Sequence, residues 1–199
     1  MLLRRTLPIA SFLVIFAACT DDGDPGDAPA PDPQETFVGA IEGTDVRFAI
    51  VRDDDHVALF FCGGPDSFAT STQWIRAEGS GPAYELSQGT WAASFNIEGA
   101  SATGTVDRGD GMPLTFTAAR VDEEGLAGLY ETEEADGRVG VVVAMDEAGQ
   151  AVVQGALVTP TIAAQVVPIS PVERVADRLR VQVLLAEPKN LTVRRALAE

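Results

Sequence analysis

The chain has 199 residues, with 30 Asp and Glu against 14 Lys and Arg, a formal charge of −16, one His, two Cys and 46% hydrophobic residues. That apolar content excludes a wholly disordered acidic chain, and the length suits one modest domain with an appendage. So acidic a sequence, with no basic stripe interleaved with aromatics, sets nucleic acid aside as a partner, and a single imidazole starves most hydrolase and zinc chemistry.

In chain order, Arg4 and Arg5 precede a largely apolar run from Leu7 to Ala18 that ends in Phe16-Ala17-Ala18-Cys19. Residues 1–18 thus have the layout of an export signal. A membrane-spanning helix needs about 20 apolar residues, and this run is shorter and holds Pro8 and Ser11. The Ala17-Ala18-Cys19 ending resembles the lipobox of bacterial lipoproteins. The resemblance implies that Cys19 becomes a lipidated N-terminus, and that acyl chains on it hold the protein to a membrane. With Thr20 rather than Asp after the cysteine, it also implies an outer-membrane destination facing periplasm or cell surface. Acyl chains contribute roughly 0.8 kcal/mol per buried methylene, so two or three make a firm anchor. The alternative is an ordinary secretory signal cut near Ala18, which leaves Cys19 a free thiol. Residues 19–35 read as a disordered tether with five Asp, one Glu, four Pro, two Gly and no basic residue. Such a segment buries nothing, and like charges keep it extended.

From Thr36 short apolar alternations recur, each closed by Gly, Asp, Asn or Pro within about a dozen residues, the spacing of an antiparallel all-β protein. Strands are predicted over 37–42, 47–52, 57–62, 73–78, 84–87, 91–97, 102–106, 114–119, 128–132, 140–145 and 151–157. Turns fall at Glu42-Gly43-Thr44-Asp45, Asp53-Asp54-Asp55, Gly79 to Pro82, Glu98-Gly99, Asp107 to Gly111 and Asp146 to Gln150. No segment before Pro160 shows a helical apolar repeat, which disfavours a βαβ architecture. The expected fold over residues 36–169 is an antiparallel meander closed or nearly closed into a β-barrel, because closure removes exposed edges. A two-sheet sandwich is the alternative.

After Pro160 the pattern changes. Residues 162–168 and 179–183 read as further strands, whereas residues 172–179 and 191–198 are each compatible with a short helix, so residues 170–199 are expected to be a mixed strand and helix extension. Residues 37–169 hold 20 acids and 6 bases, and residues 170–199 hold 4 acids and 6 bases. The basic tail is therefore expected to pack on the acidic body.

Phe37-Val38-Gly39, Gly43-Thr44-Asp45, the Ala49-Ile50-Val51 strand, Cys62-Gly63-Gly64, Trp74, Gly104-Thr105-Val106, Phe116-Thr117-Ala118 and Ala127 to Tyr130 together resemble, over about residues 36–131, a β-rich domain of exported proteins from high-GC bacteria. That family has no assigned activity and its pattern consists of turn glycines and strand hydrophobes. The resemblance implies fold and export, and brings no catalytic residue with it.

The sharpest enzymatic idea is a thiolate nucleophile built from His56 and Cys62. Six residues of strand at about 3.3 Å each would hold them roughly 20 Å apart, so the dyad fails on geometry. Both faces of that strand are apolar, which marks Cys62 as an inert core thiol. Asp53-Asp54-Asp55 lacks the alternate spacing of a calcium loop and reads as a hairpin turn, while Glu123-Glu124 and the acids from Glu131 to Asp136 read as solvated loops. Arg108-Gly109-Asp110 sits where a tight turn is already required. Trp74, Trp91, Tyr84 and Tyr130 are the aromatics able to line a ligand pocket. No cofactor, metal or catalytic motif occurs in the sequence. The expected function is a lipid-anchored, non-enzymatic envelope domain for interaction or small-ligand binding, its partner an envelope protein, a glycan or a small apolar ligand. The alternative is an envelope hydrolase using paired carboxylates, or an enzyme inhibitor.

Overall fold

A computed structural model describes residues 34–198, and Cys19, the export signal and the tether lie outside the described residues except for Gln34 and Glu35. Among the described residues the protein is all-β, antiparallel and without helices. The first eight strands are β1 (Glu35–Ile41), β2 (Arg47–Arg52), β3 (His56–Cys62), β4 (Gln73–Glu78), β5 (Ala83–Gln88), β6 (Trp91–Glu98), β7 (Ser101–Asp107) and β8 (Leu114–Arg120). They form one nearly closed sheet in the order β4-β3-β2-β1-β8-β7-β6-β5. This is the up-and-down meander expected from the sequence, bent round until β1 pairs with β8 and left open between β4 and β5.

The remaining strands are β9 (Gly128–Glu134), β10 (Gly137–Met145), β11 (Ala151–Val158), β12 (Ala163–Pro168), β13 (Arg174–Val175), β14 (Arg178–Val183) and β15 (Lys189–Arg195). Six of them close into a second barrel through β12–β14 and β15–β9 pairing, and the two-residue β13 hangs on β14. Every strand expected before Pro160 is present, within three residues at either end. The helices considered for residues 172–179 and 191–198 are absent: the first stretch holds β13 and the start of β14, and the second holds most of β15. Pairing with β14 and β9 sends Val193 into the barrel core, and this tertiary demand overrides weak local propensity. The C-terminal extension is thus woven into the second barrel, and the body divides at the 121–127 linker.

Side-chain parity explains both barrels. In β5 and β6, buried Tyr84, Leu86, Trp91, Ala93, Phe95 and Ile97 alternate with exposed residues, as in a sheet with one wet face. The outward positions of β5 to β8 include Glu85, Ser94, Asn96, Thr103, Thr115 and Thr117. Inside, Phe48, Phe61, Phe95, Phe116, Tyr84 and Trp91 fill the first barrel, with Phe48 and Phe116 ring centroids 4.7 Å apart and Tyr84 stacked on Phe95 at 4.9 Å. Tyr130, Val139, Val141, Val143, Val181 and Val193 fill the second.

β2, β3 and β10 are apolar on both faces because their outer faces meet at a seam between the barrels. Ala49, Val51, Phe60 and Cys62 face Leu129, Val142, Ala144 and Ala156 there. Gly140 is required at this contact: a Cβ on it would lie 2.7 Å from both the Phe60 and Trp74 rings. At one end of the seam Gln154 behaves like a strand residue, its amide donating to Asp45 O and accepting from Arg47 N, each at 3.0 Å.

The linker is gripped from the second barrel. Arg195 lies over the Tyr130 ring, 5.2 Å from its centroid, and Nη2 donates to the carbonyls of Asp122, Glu123 and Gly125. Arg174 Nη1 donates to Gly125 O at 2.8 Å. Burial pushes the Arg195 pKa down and the Tyr130 pKa up.

Candidate functional site

The four aromatics singled out from the sequence lie in three separate places. Tyr84 and Trp91 belong to the first barrel's core, Tyr130 to the second barrel's core with its hydroxyl donating to Leu126 O at 2.8 Å, and Trp74 to the seam. Three of them pack inside barrels filled by side chains, so the structure directs attention to Trp74 and the concave surface beside it.

That surface is a groove of about 460 Å³ where the open edge of the first barrel meets the turns of the second; Trp74, Arg76, Gln88, Glu133, Arg138 and Thr159 contribute to it. The volume falls within the usual span of ligand pockets, roughly 300–1,000 Å³. Trp74 and Arg76 share the outward parity of β4, while Ile75 between them points into the first barrel. Because β4 and β5 do not pair, the backbone N–H of Arg76 is met instead by Gln88 Oε1 at 3.2 Å, a side chain standing in for the missing strand.

Glu131 organises the site. It has Leu129's parity on β9, is 6% exposed, and its Oε2 accepts from Arg76 Nη2 at 2.5 Å and Arg138 Nη1 at 2.7 Å, while Leu197 N donates to Oε1 at 3.3 Å. Arg138 reaches on to Glu133 at 2.5 Å, and Lys189 pairs with Glu134. Both guanidiniums stack on Trp74, 4.7 Å and 5.8 Å from the ring centroid, with the Phe60 ring also 4.6 Å away. Charge-assisted bonds and cation–π contacts of this kind fix side chains tightly when half-buried. The indole Nε1 is buried without a hydrogen-bond partner among the described residues.

Glu131, Glu133 and Glu134 are therefore strand residues holding arginines and a lysine, which corrects their reading as loop solvation. The arginine that makes Glu131 a seam residue, Arg76, is 55 positions away, beyond the reach of any local motif. On the far side of Arg138 a second hollow of about 610 Å³ is lined by Glu131, Thr132, Arg194 and Leu197.

The other sequence candidates resolve into local structure. His56 and Cys62 occupy opposite ends of β3, and burial pushes the Cys62 thiol up to about 12. Asp53 Oδ1 accepts from the backbone N–H of Asp55 and His56, closing the hairpin. Asp107 Oδ1 does the same for Gly109 and Gly111, and Arg108 turns inward to donate to Ser71 Oγ at 2.9 Å. Sequence reasoning passed over Asp45, whose carboxylate is held below its usual range first by the Ser67 hydroxyl and then by the Asp66 backbone N–H.

No protein family, curated protein or solved structure matches the chain.

Proposed function

We propose that this is an envelope protein held to the outer membrane by acyl chains on Cys19, carrying a non-enzymatic two-barrel head that binds its ligand in the groove at the seam. The observation that carries the binding reading is the disposition of side chains: both barrel interiors are filled, and the groove instead gathers the polar groups of Arg76, Gln88, Glu133 and Arg138. The anchoring reading rests on the Ala17-Ala18-Cys19 sequence, and the faces of the first barrel support it. A barrel that spans a membrane turns an apolar band outward, whereas Glu85, Ser94, Asn96 and Thr117 point outward here. Such a surface belongs in water, as a head carried on an N-terminal anchor requires. The acidic tether gives the head reach from the bilayer.

Binding is favoured over carboxylate catalysis because the groove's two acids are each ion-paired, Glu133 with Arg138 and Glu134 with Lys189, and Glu131 behind them has both oxygens engaged. Metabolic labelling with a palmitate analogue, comparing wild type with Cys19→Ala and followed by membrane fractionation, tests the anchor. Label and membrane association are expected in the wild type alone, and an unlabelled wild type sinks the anchor.

A further inference from the structure

We propose that the outer face of β14 and β15 in the second barrel docks the head on an anionic, phosphate-bearing lipid surface through Arg178, Arg180 and Arg194. This goes beyond the groove, and shares with the anchoring reading only its choice of a membrane as partner.

Strand parity builds the face. Leu179, Val181 and Val193 turn into the barrel, so Arg178 and Arg180 on β14 and Arg194 on β15 turn outward, and all three are exposed. Arg178 and Arg194 are register partners, and Arg180 stands opposite Thr192 two positions along. Directly opposed side chains have Cβ atoms about 4.5–5.5 Å apart, and like charges so placed repel. Elsewhere in the protein such neighbouring guanidiniums are neutralised: Arg52 and Arg120 share Glu35, and Arg76 and Arg138 share Glu131. Here they are not. Arg180 and Arg194 form no ion pair among the described residues, and Arg178 has only its chain neighbour Asp177, 3.7 Å from Nε with both side chains mostly exposed. Glu131 faces Arg194 across β9, but Arg76, Arg138 and Leu197 N take its oxygens. Neither β14 nor β15 contains an Asp or Glu. In a chain of formal charge −16, opposed arginines without a carboxylate are stabilised by an anion from outside.

Three features select a bilayer among anions. Arg178, with 70% of its side chain exposed, and Arg180 stand on an open sheet face, which fits an extended surface better than a small ion held on several sides. Val175, the register partner of Arg178 on β13, shares that face and at 73% is the most exposed large hydrophobic residue described. The turn beyond it holds exposed Ala176 at φ +57°, where Gly or Asn is at ease, so the hairpin tip keeps methyl groups where a turn meeting only water favours polar ones. An apolar tip flanked by cations suits a headgroup layer, with the aliphatic part buried and the guanidiniums on phosphate. A soluble acidic polymer would satisfy the arginines and leave Val175 in water. The third feature is where the chain enters: Gln34, the first described residue, donates Nε2 to Ala196 O at 2.9 Å, two residues beyond Arg194. Cys19 lies 15 residues before Gln34, at most about 50 Å of chain, so acyl chains there keep a bilayer within reach of this face.

The test uses the processed full chain with an indole added on the face by Thr192→Trp, or on the first barrel's outer face by Thr103→Trp. Vesicles are phosphatidylcholine alone, or equal parts phosphatidylcholine and phosphatidylglycerol, each with a spin-labelled headgroup lipid that quenches indoles at the bilayer surface. Trp74 and Trp91 are buried and give a constant background. The Thr192→Trp indole is expected to be quenched on anionic vesicles and severalfold less on neutral ones, and the Thr103→Trp indole on neither. Changing Arg178, Arg180 and Arg194 together to Gln is expected to shift the docking equilibrium about a hundredfold, near fivefold per cation lost at a charged surface, and so to abolish the quenching. About 0.5 M salt, with a Debye length near 4 Å, should do the same. The same three positions changed to Lys keep the charge and should keep the quenching, with an unchanged Tm showing that each variant is folded. Val175→Ser is expected to weaken docking severalfold. The mass of the N-terminal peptide reports acylation separately. Acylated protein in which Thr192→Trp is quenched no more than Thr103→Trp, or in which the triple Gln variant is quenched like its parent, overturns the docking and leaves the anchor standing. Quenching in a chain without acyl groups supports the docking and overturns the anchor. Binding of soluble polygalacturonate that the Gln changes remove, without quenching on any vesicle, makes an acidic polysaccharide the partner and overturns the membrane proposal.

Discussion

Raising the pH should destabilise the protein through Cys62 by an amount the structure sets. The thiol closes β3 at 1% exposure, with Sγ 3.7 Å from Gly63 O, and burial pushes its pKa up to about 12. In the unfolded chain the same thiol ionises near its ordinary value, about 8.5 to 9. Between these values the folded protein keeps a proton that the unfolded chain has released, so stability falls as pH rises. The slope is about 1.4 kcal/mol per pH unit, and the whole window from about 9 to 12 amounts to roughly 4 kcal/mol. The measurement is urea denaturation at pH 8, 9, 10 and 11 on Cys19→Ala protein, with and without the further change Cys62→Ala. The alanine leaves a small cavity whose cost is independent of pH, and the raised Tyr130 pKa affects both proteins alike, so the difference between the two curves isolates the thiol. At pH 8 the folded thiol should also react with a disulfide reagent roughly a thousandfold more slowly than an exposed cysteine, from ionisation alone. A stability difference that stays flat from pH 8 to 11, or modification at the rate of an exposed thiol, refutes the buried assignment.

Three further outcomes follow from the seam and the first barrel. Glu131→Gln keeps the shape but removes the charge that Arg76 and Arg138 share at 8% side-chain exposure, and should cost about 3 kcal/mol in denaturant titration, the scale of breaking a buried ion pair. Gly140→Ala puts a methyl 2.7 Å from the Phe60 and Trp74 rings, and should cost about 1–3 kcal/mol, seen as a lowered Tm with β structure retained by circular dichroism. Asp45 titrates below its usual range because Ser67 and Asp66 donate to it, so its contribution is present above about pH 4 and lost as pH falls through its folded value; Asp45→Asn should lower the Tm at pH 7, and the difference from wild type should shrink as the pH is taken below about 4.

How far the fold is legible in the sequence depends on what each strand faces. Tyr84 to Ser87 and Trp91 to Ile97 alternate because one face meets a core and the other water, and period-2 patterning reads them directly. Val57 to Cys62 and Val139 to Ala144 are apolar on both parities, which signals burial on both faces but not what covers the second. Two such runs in one chain are what a seam between barrels leaves in a sequence, and Gly140 within the valine run marks the close approach of another chain segment. Of the C-terminal strands, residues 162–168 and 179–183 alternate and read as β12 and β14, whereas β15 owes its conformation to pairing with β14 and β9, which local propensity does not encode.

The site shows the same limit more sharply. Four aromatics look alike in sequence, yet parity separates them. Tyr84 and Trp91 fall on buried beats of strictly alternating strands and are core. Tyr130 lies between Leu129 and Glu131, so its own parity points inward and theirs outward to the seam. Trp74 lies between Gln73 and Ile75, and with Ile75 inward it must share the outer face with Arg76. A tryptophan and an arginine two residues apart on one strand face, together with Glu131, Glu133 and Arg138 on the outward parity across a short hairpin, are the local signature of the groove. Joining the two halves required knowing that β4 ends an open edge beside β9 and β10, a fact of topology. Charge counting over a window treats Glu131 to Asp136 as solvent-loving because it cannot see Arg138 folded back across the hairpin, Lys189 on β15 or Arg76 from the other barrel. A buried carboxylate without partners would be untenable, so the apolar residues directly before Glu131, Leu129 and Tyr130, already require that cations come from elsewhere in the chain.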